Sequence, residues 1–481
     1  MNRRLNLLAL PLLGRLLRWR WGRLALQIPL AVIAVLLVLD GFTGPPEAAR
    51  NLATVTPWVH FRGFTVLALL LVGNLFCMGC PFALPRTLAK RLSLRGRRFP
   101  KRLRNKWIAI VSLFLLFLAY EVLDLWASPV LTAWLIVVYF VAAFMLEALF
   151  TESAFCKYVC PLGTFNFIYS TVSPTQIGVH NLDICRTCVG KECVNGSYQP
   201  APVIRLDEIP GGGQKAVRHG PAGTPGCGTL LFAPQMTSNL ECTLCLDCAR
   251  ACPHQNVGLF TRRPGRELFQ VAAWPKRWDV SLLVICAAFL GLMNAFGMVP
   301  PVYELQRQLI RLLGIRSEWV LVGLIFGAGG LLLPVLLTLL AAWLGRTFMR
   351  HQLSLRETVA AFAPAFVPVG FGIWFAHYSF HFLLAPLTII PVIQEFLGGV
   401  GDWARFSGTV DVTVISLLQL AALLGGFLVS LTLANRAALR LYRRKALAGL
   451  LPWAFVLLGL AFAAAYIFTL PMEMRGSLLA G

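Results

Sequence analysis

Charge is what this chain has least of. Only 13% of its 481 residues are charged, and 21 acidic residues face 43 basic ones, for a net charge of +22. Soluble globular chains are about one quarter charged. A composition that is 57% hydrophobic, with mean hydropathy +0.71, therefore excludes a soluble globular class and points to a membrane protein. The basic excess does not indicate nucleic acid. Its densest stretch, Arg86 to Lys106, is a short connector between apolar runs, not the basic soluble face that nucleic-acid binding needs. No small-residue cleavage site follows the apolar stretch Leu24 to Leu39, which reads as an uncleaved span rather than a signal peptide. A dinucleotide or flavin fingerprint is also missing. Gly211-Gly212-Gly213 has no strand before it and no helix after it, so hydride chemistry on nicotinamide would fall to another subunit.

What is present is a series of apolar runs, each long enough to cross roughly 30 Å of hydrocarbon. They lie near 24–41, 61–79, 107–127, 130–150, 279–299, 319–344, 358–386, 409–434 and 451–470. The pattern predicts an all-α polytopic membrane protein of about nine transmembrane helices. Lys and Arg concentrate before the first run, between Arg86 and Lys106, and at Arg436, Arg440, Arg443, Arg444 and Lys445. The loops 42–60 and 387–408 hold only Arg50 and Arg405. The positive-inside rule then puts the N-terminus in the cytoplasm of a bacterial inner membrane. Three regions follow: a four-helix membrane region (1–150), a cytoplasmic ferredoxin-like insert (151–278) and a five-helix membrane domain (279–481). The segment Pro301 to Ile315 spaces Leu305, Leu309, Leu312 and Leu313 on one helical face, as an interfacial helix or an ordinary structured loop would.

Twelve of the 13 cysteines lie in or near the insert or at the cytoplasmic ends of spans. In a reducing compartment such clustering favours metal ligation over disulfides. Cys242, Cys245, Cys248 and Cys252-Pro253 read C-x2-C-x2-C-x3-C-P, the bacterial [4Fe–4S] ferredoxin spacing, whose fourth cysteine ligates the other cluster. Cys185, Cys188 and Cys193 form a second, looser group, and Cys227 stands alone. Eight cysteines suffice for two clusters. The crossing rule assigns Cys185, Cys188, Cys193 and Cys252 to one, and Cys227, Cys242, Cys245 and Cys248 to the other.

A weak internal repeat delivers two Cys-Pro pairs to one membrane edge: Cys77 and Cys80-Pro81, then Cys156 and Cys160-Pro161. These four thiols suit a third Fe–S centre, a Cu(I) site, a pair of redox-active dithiols, or no more than small residues at proline breaks. His377 and His381, four apart on one helix face, suit a metal, a haem with a ligand from another span, a quinone, or packing alone. Glu121 and Asp124, near the outer end of the third span, and Glu147, near the inner end of the fourth, are proton or quinone candidates; the outer pair could equally reach headgroups. Cys286 reads as a buried apolar cysteine and His254 as a packing residue.

The paired Cys-Pro hairpins, notably FCKYVCPLGTFNFI (155–168), followed by the cysteine-rich insert, resemble the membrane polyferredoxin group that includes NapH, the C-terminal part of NosR, and CcoG. The likeness covers roughly 24–270. The two-residue spacer of Cys77-Met78-Gly79-Cys80, the stretched first cysteine group and the long 196–226 loop depart from that group. The whole layout, with five further spans, is most similar to FesM-type membrane iron–sulfur proteins, associated with cyclic electron flow. The resemblance implies electron movement between a cytoplasmic carrier or the quinone pool and a partner complex. Together with the thiol clusters, it predicts an electron-transfer protein served by a soluble ferredoxin-like carrier, a possible component of a ferredoxin:quinone-type oxidoreductase. A copper-handling or oxidase-assembly factor and a membrane redox sensor are the rival readings.

Overall fold

The structure is a computed structural model that describes residues 5–19, 21–84, 97–196, 223–270, 274–349 and 353–472. Most of the 196–226 loop, including Gly211 to Gly213, and much of the Arg86 to Lys106 connector lie outside the described residues.

Among the described residues, seven helical runs are long and apolar enough to cross a membrane: Gly22–Thr43, Leu52–Leu71, Pro129–Leu149, Trp278–Phe296, Glu318–Phe348, Leu355–Leu384 and Val412–Thr469. The chain is therefore a multi-pass membrane protein. The seventh run breaks at Arg443, which has φ +48°, into Val412–Tyr442 and Ala446–Thr469. The third expected span is a shorter apolar helix, Trp107–Val122.

The second expected span, 61–79, is displaced. Its helical run starts at Leu52 because Asn51 accepts the Ala53 N–H at 2.8 Å and Asp40 accepts the Leu52 N–H at 2.6 Å. Such caps satisfy amides that the first turn leaves unpaired. The run ends before Gly73, whose φ of +122° suits a residue without a Cβ. Asn74 then starts the short helix Leu75–Gly79 that carries Cys77.

Trp278–Phe296 and Leu355–Leu384 are the centre of the bundle, with 89% and 94% of their apolar windows buried. Their contact is close: a Cβ at Gly291 would stand 2.8 Å from the Trp374 ring. Small residues of this kind let membrane helices approach. Phe362 and Trp453 stack at 4.2 Å in the same core. On the Pro301–Leu313 helix the leucine stripe divides: Leu305 and Leu309 pack on this core, whereas Leu312 and Leu313 are exposed.

The described residues of the insert contain one antiparallel strand pair, Thr175–Val179 with Val257–Thr261, in which Gly178 faces Gly258. The N-terminal segment docks on it. Thr261 donates its N–H to the Leu5 carbonyl at 2.9 Å, and Leu8 and Leu17 share a core with Ile177, Leu246 and Leu259. The helix Pro161–Tyr169, by contrast, packs Phe165, Ile168 and Tyr169 into the main membrane core.

Candidate metal centres

All three Cys-Pro cysteines adopt the extended backbone that a following proline enforces: ψ is 122° at Cys80, 114° at Cys160 and 112° at Cys252. Proline at the first helical position sacrifices no hydrogen bond. Cys80 and Cys160 therefore sit at the starts of new turns, and the Cys160 Sγ receives the Gly163 N–H at 3.2 Å.

Cys77, Cys80, Cys156 and Cys160 line one cavity, together with Arg23, Glu147 and Thr243. Glu147, expected near the inner end of its span, is 3% exposed and is part of this wall. Arg23 pairs at 3.1 Å with Asp247, which lies between Cys245 and Cys248. Asn74 makes a second link by donating to the Cys242 carbonyl at 2.9 Å.

Cys185, Cys188, Cys193 and Cys252 line another cavity, with His254 on its rim. Asn256 donates its side-chain N–H to the Cys185 Sγ at 3.1 Å and its backbone N–H to the Cys252 Sγ at 3.4 Å. The Cys188 thiol donates to Glu192 at 3.3 Å. Burial pushes the Cys193 thiol up to about 11; the Ala233 backbone opposes this, and the neighbouring Cys252, Cys185 and Cys188 add to it.

Cys227, Cys242, Cys245 and Cys248 are likewise mutual neighbours. Burial raises the Cys248 thiol well above its usual range, and Cys245, Cys227 and Cys242 raise it further. The Leu244 N–H points to the Cys242 Sγ at 3.4 Å and the Leu231 N–H to the Cys227 Sγ at 3.3 Å. The loop that wraps this group holds Glu241, Leu244 and Leu246 at φ +65°, +53° and +60°. Left-handed non-glycine residues are uncommon and gather where a site constrains the chain. Here burial of Leu244 (3% exposed) and Leu246 (2%) holds them in place. Among the described residues, no three His, Cys, Asp or Glu side chains converge closely enough to hold a single metal ion. Two of the thiol sets instead line cavities.

The histidine and carboxylate candidates away from the thiols occupy a separate polar cluster. His377 and His381 face each other, Nε2 to Nε2, at 3.1 Å, and His377 is fully buried. Glu121 does not reach outward to headgroups: it is 1% exposed and accepts from Asn294 at 3.3 Å. Asp124 sits in the turn after its helix with φ +45°. Sequence reasoning missed Arg62, which lies over Tyr120 at 4.2 Å, Trp58 at 4.6 Å and Tyr378 at 5.0 Å. An arginine within an apolar run was its only signal. Asn74 and Asn256 carried no signal, because their partners are far away in sequence. Cys286 is buried in Trp278–Phe296 as expected.

No family model matches the chain, and no solved structure matches it. It is similar to the curated "Putative electron transport protein YccM" of Escherichia coli (strain K12), with 25% identity over 175 residues. That stretch is 35% of this chain and 40% of the relative, so the likeness is distant and covers less than half of either protein.

Proposed function

We propose that the chain is a membrane-bound iron–sulfur electron-transfer protein. The observation that carries this reading is the gathering of twelve cysteines into three sets of four, two of them lining cavities and the third mutually adjacent. Thiols arranged around a space, with N–H groups aimed at several sulfurs, are a donor set that fits a [4Fe–4S] cluster. Cys185, Cys188, Cys193 and Cys252 would hold one cluster, and Cys227, Cys242, Cys245 and Cys248 the other. Cys77, Cys80, Cys156 and Cys160 would hold a third centre at the membrane edge. Bound clusters supply one-electron carriers. The protein residues would bound each site, exclude water from the buried thiols, and set the charge and hydrogen bonding around each sulfur.

In this reading the N-terminus and the insert face the cytoplasm of a bacterial inner membrane, as the lysine and arginine distribution favours. Electrons pass between a soluble ferredoxin-like carrier and a membrane quinone or partner complex. Distant similarity to a protein named for electron transport supports the general role. Metal and sulfide analysis with EPR tests the proposal. About twelve iron atoms and twelve sulfides per chain fit three clusters, and about eight fit two. Protein purified without air that contains neither would refute it. Quinone reduction by reduced ferredoxin should be lost in Cys245→Ser.

A further inference from the structure

The first 23 residues carry six arginines and no acidic residue. Within them lies an eight-residue helix, Pro11–Arg18. A helix this short is marginal in water by itself, so packing has to hold it. One face is packed. Gly14 and Leu17 are buried, and Leu17 shares the insert core with Ile177, Leu246 and Leu259. The opposite face carries Leu12, Leu16 and Trp19, spaced i, i+4 and i+7 as a single helical stripe. These three are 84%, 43% and 52% exposed.

The helix ends at a corner. Trp19 turns to ψ 134°, and the membrane run Gly22–Thr43 begins three residues later. The corner is tight: a Cβ at Gly22 would stand 1.9 Å from the Leu16 carbonyl oxygen. The last turn of the short helix therefore lies against the first turn of a membrane-crossing one, and the exposed stripe sits where that run leaves the bilayer. Tryptophan is enriched at this boundary. Arg15, also exposed, flanks the stripe. An apolar stripe edged by arginine is the pattern of a helix lying in the interface plane, and anionic headgroups attract basic segments beside a span.

We propose that Pro11–Arg18 is an interfacial anchor. Its Leu12, Leu16 and Trp19 side rests among anionic phospholipids, while its Gly14 and Leu17 side holds the insert against the bilayer surface. The proposal does not depend on what the cysteines bind. A partner protein and another segment of this chain are the rival occupants.

The test places photoreactive p-benzoylphenylalanine at Leu12, Leu16, Ile28 or Asp183, one at a time, in the full chain in the cell membrane. Ile28, 53% exposed within the Gly22–Thr43 run, is the lipid control. Asp183, whose side chain is 77% exposed on the insert, is the water control. All four positions are exposed, so the larger ring leaves the packing intact. After irradiation, mass spectrometry reads the adducts on the purified chain. Leu12 and Leu16 should each give about tenfold more phospholipid adduct than Asp183, a preference of ~1.4 kcal/mol. Adducts to another protein or to another segment of this chain at Leu12 and Leu16 overturn the anchor. So does a lipid yield no higher than at Asp183 while Ile28 labels. Absence of lipid adduct at Ile28 as well overturns both the anchor and the membrane run. In reconstituted vesicles, the Leu16 yield should fall severalfold when phosphatidylglycerol is replaced by phosphatidylcholine; an equal yield overturns the preference for anionic lipid.

Discussion

Asn74 joins Cys77 to Cys242. Its Oδ1 accepts the Cys77 N–H at 3.3 Å while its Nδ2 donates to the Cys242 carbonyl at 2.9 Å, and the residue is 3% exposed. One amide thus bridges the membrane-edge thiols and the insert. Asn74→Ala leaves a buried donor and a buried acceptor unpaired, a loss of about 1–3 kcal/mol. Thermal melting in nanodiscs should fall accordingly. Ferredoxin-driven quinone reduction should slow while the iron content stays at the native value.

Cys252 follows Cys248 closely in sequence but shares a cavity with Cys185, Cys188 and Cys193. Cys252→Ser should therefore remove the EPR signal of that group and spare the other. Cys227→Ser should do the reverse. Loss of the same signal in both variants would overturn the crossed assignment.

Asn256 donates to two sulfurs of one group, at 3.1 Å and 3.4 Å. Hydrogen bonds to sulfur favour the more negative, reduced state and raise the potential. Asn256→Leu removes the side-chain bond, so an EPR redox titration should show a lower potential for the Cys185 group and an unchanged one for the Cys242 group.

Glu241 lies 2.8 Å from the Lys106 Nζ and 3.2 Å from the Lys157 Nζ. Burial alone would raise its carboxyl, but the two lysines outweigh burial and hold it below the usual range. A carboxyl depressed on folding adds stability above its unfolded value, about pH 4.3. That contribution disappears as pH falls through the lower folded value. Glu241→Gln should cost about 3 kcal/mol at neutral pH, since it leaves buried Lys106 without its counter-charge. The gap in melting temperature between the two proteins should narrow as pH falls below about 4.3.

Much of the fold was legible because its signals are local. A long apolar run is helical in a bilayer whatever surrounds it, and seven long apolar helical runs with the shorter Trp107–Val122 overlap the expected spans. The start of the second span was not legible, because it depends on Asp40 of the preceding helix capping Leu52. The docking of Leu5 on the second strand was hidden for the same reason: the two partners are far apart in the chain. Cys-Pro turns could be read at the site, since proline restricts the residue before it. The left-handed turns at Leu244 and Leu246 could not, because burial rather than residue type stabilises them there.

The sequence by itself determined the class of the protein, the approximate positions of its apolar helices and the grouping of its cysteines along the chain. Those properties follow from composition, run length and residue spacing, which neighbouring residues set together. Only the tertiary structure decided that Asn74 bridges the backbones of Cys77 and Cys242 and that Arg23 reaches Asp247. Each of these joins residues far apart in the chain. Packing of the insert against the helices brings them together, and no local pattern records that contact.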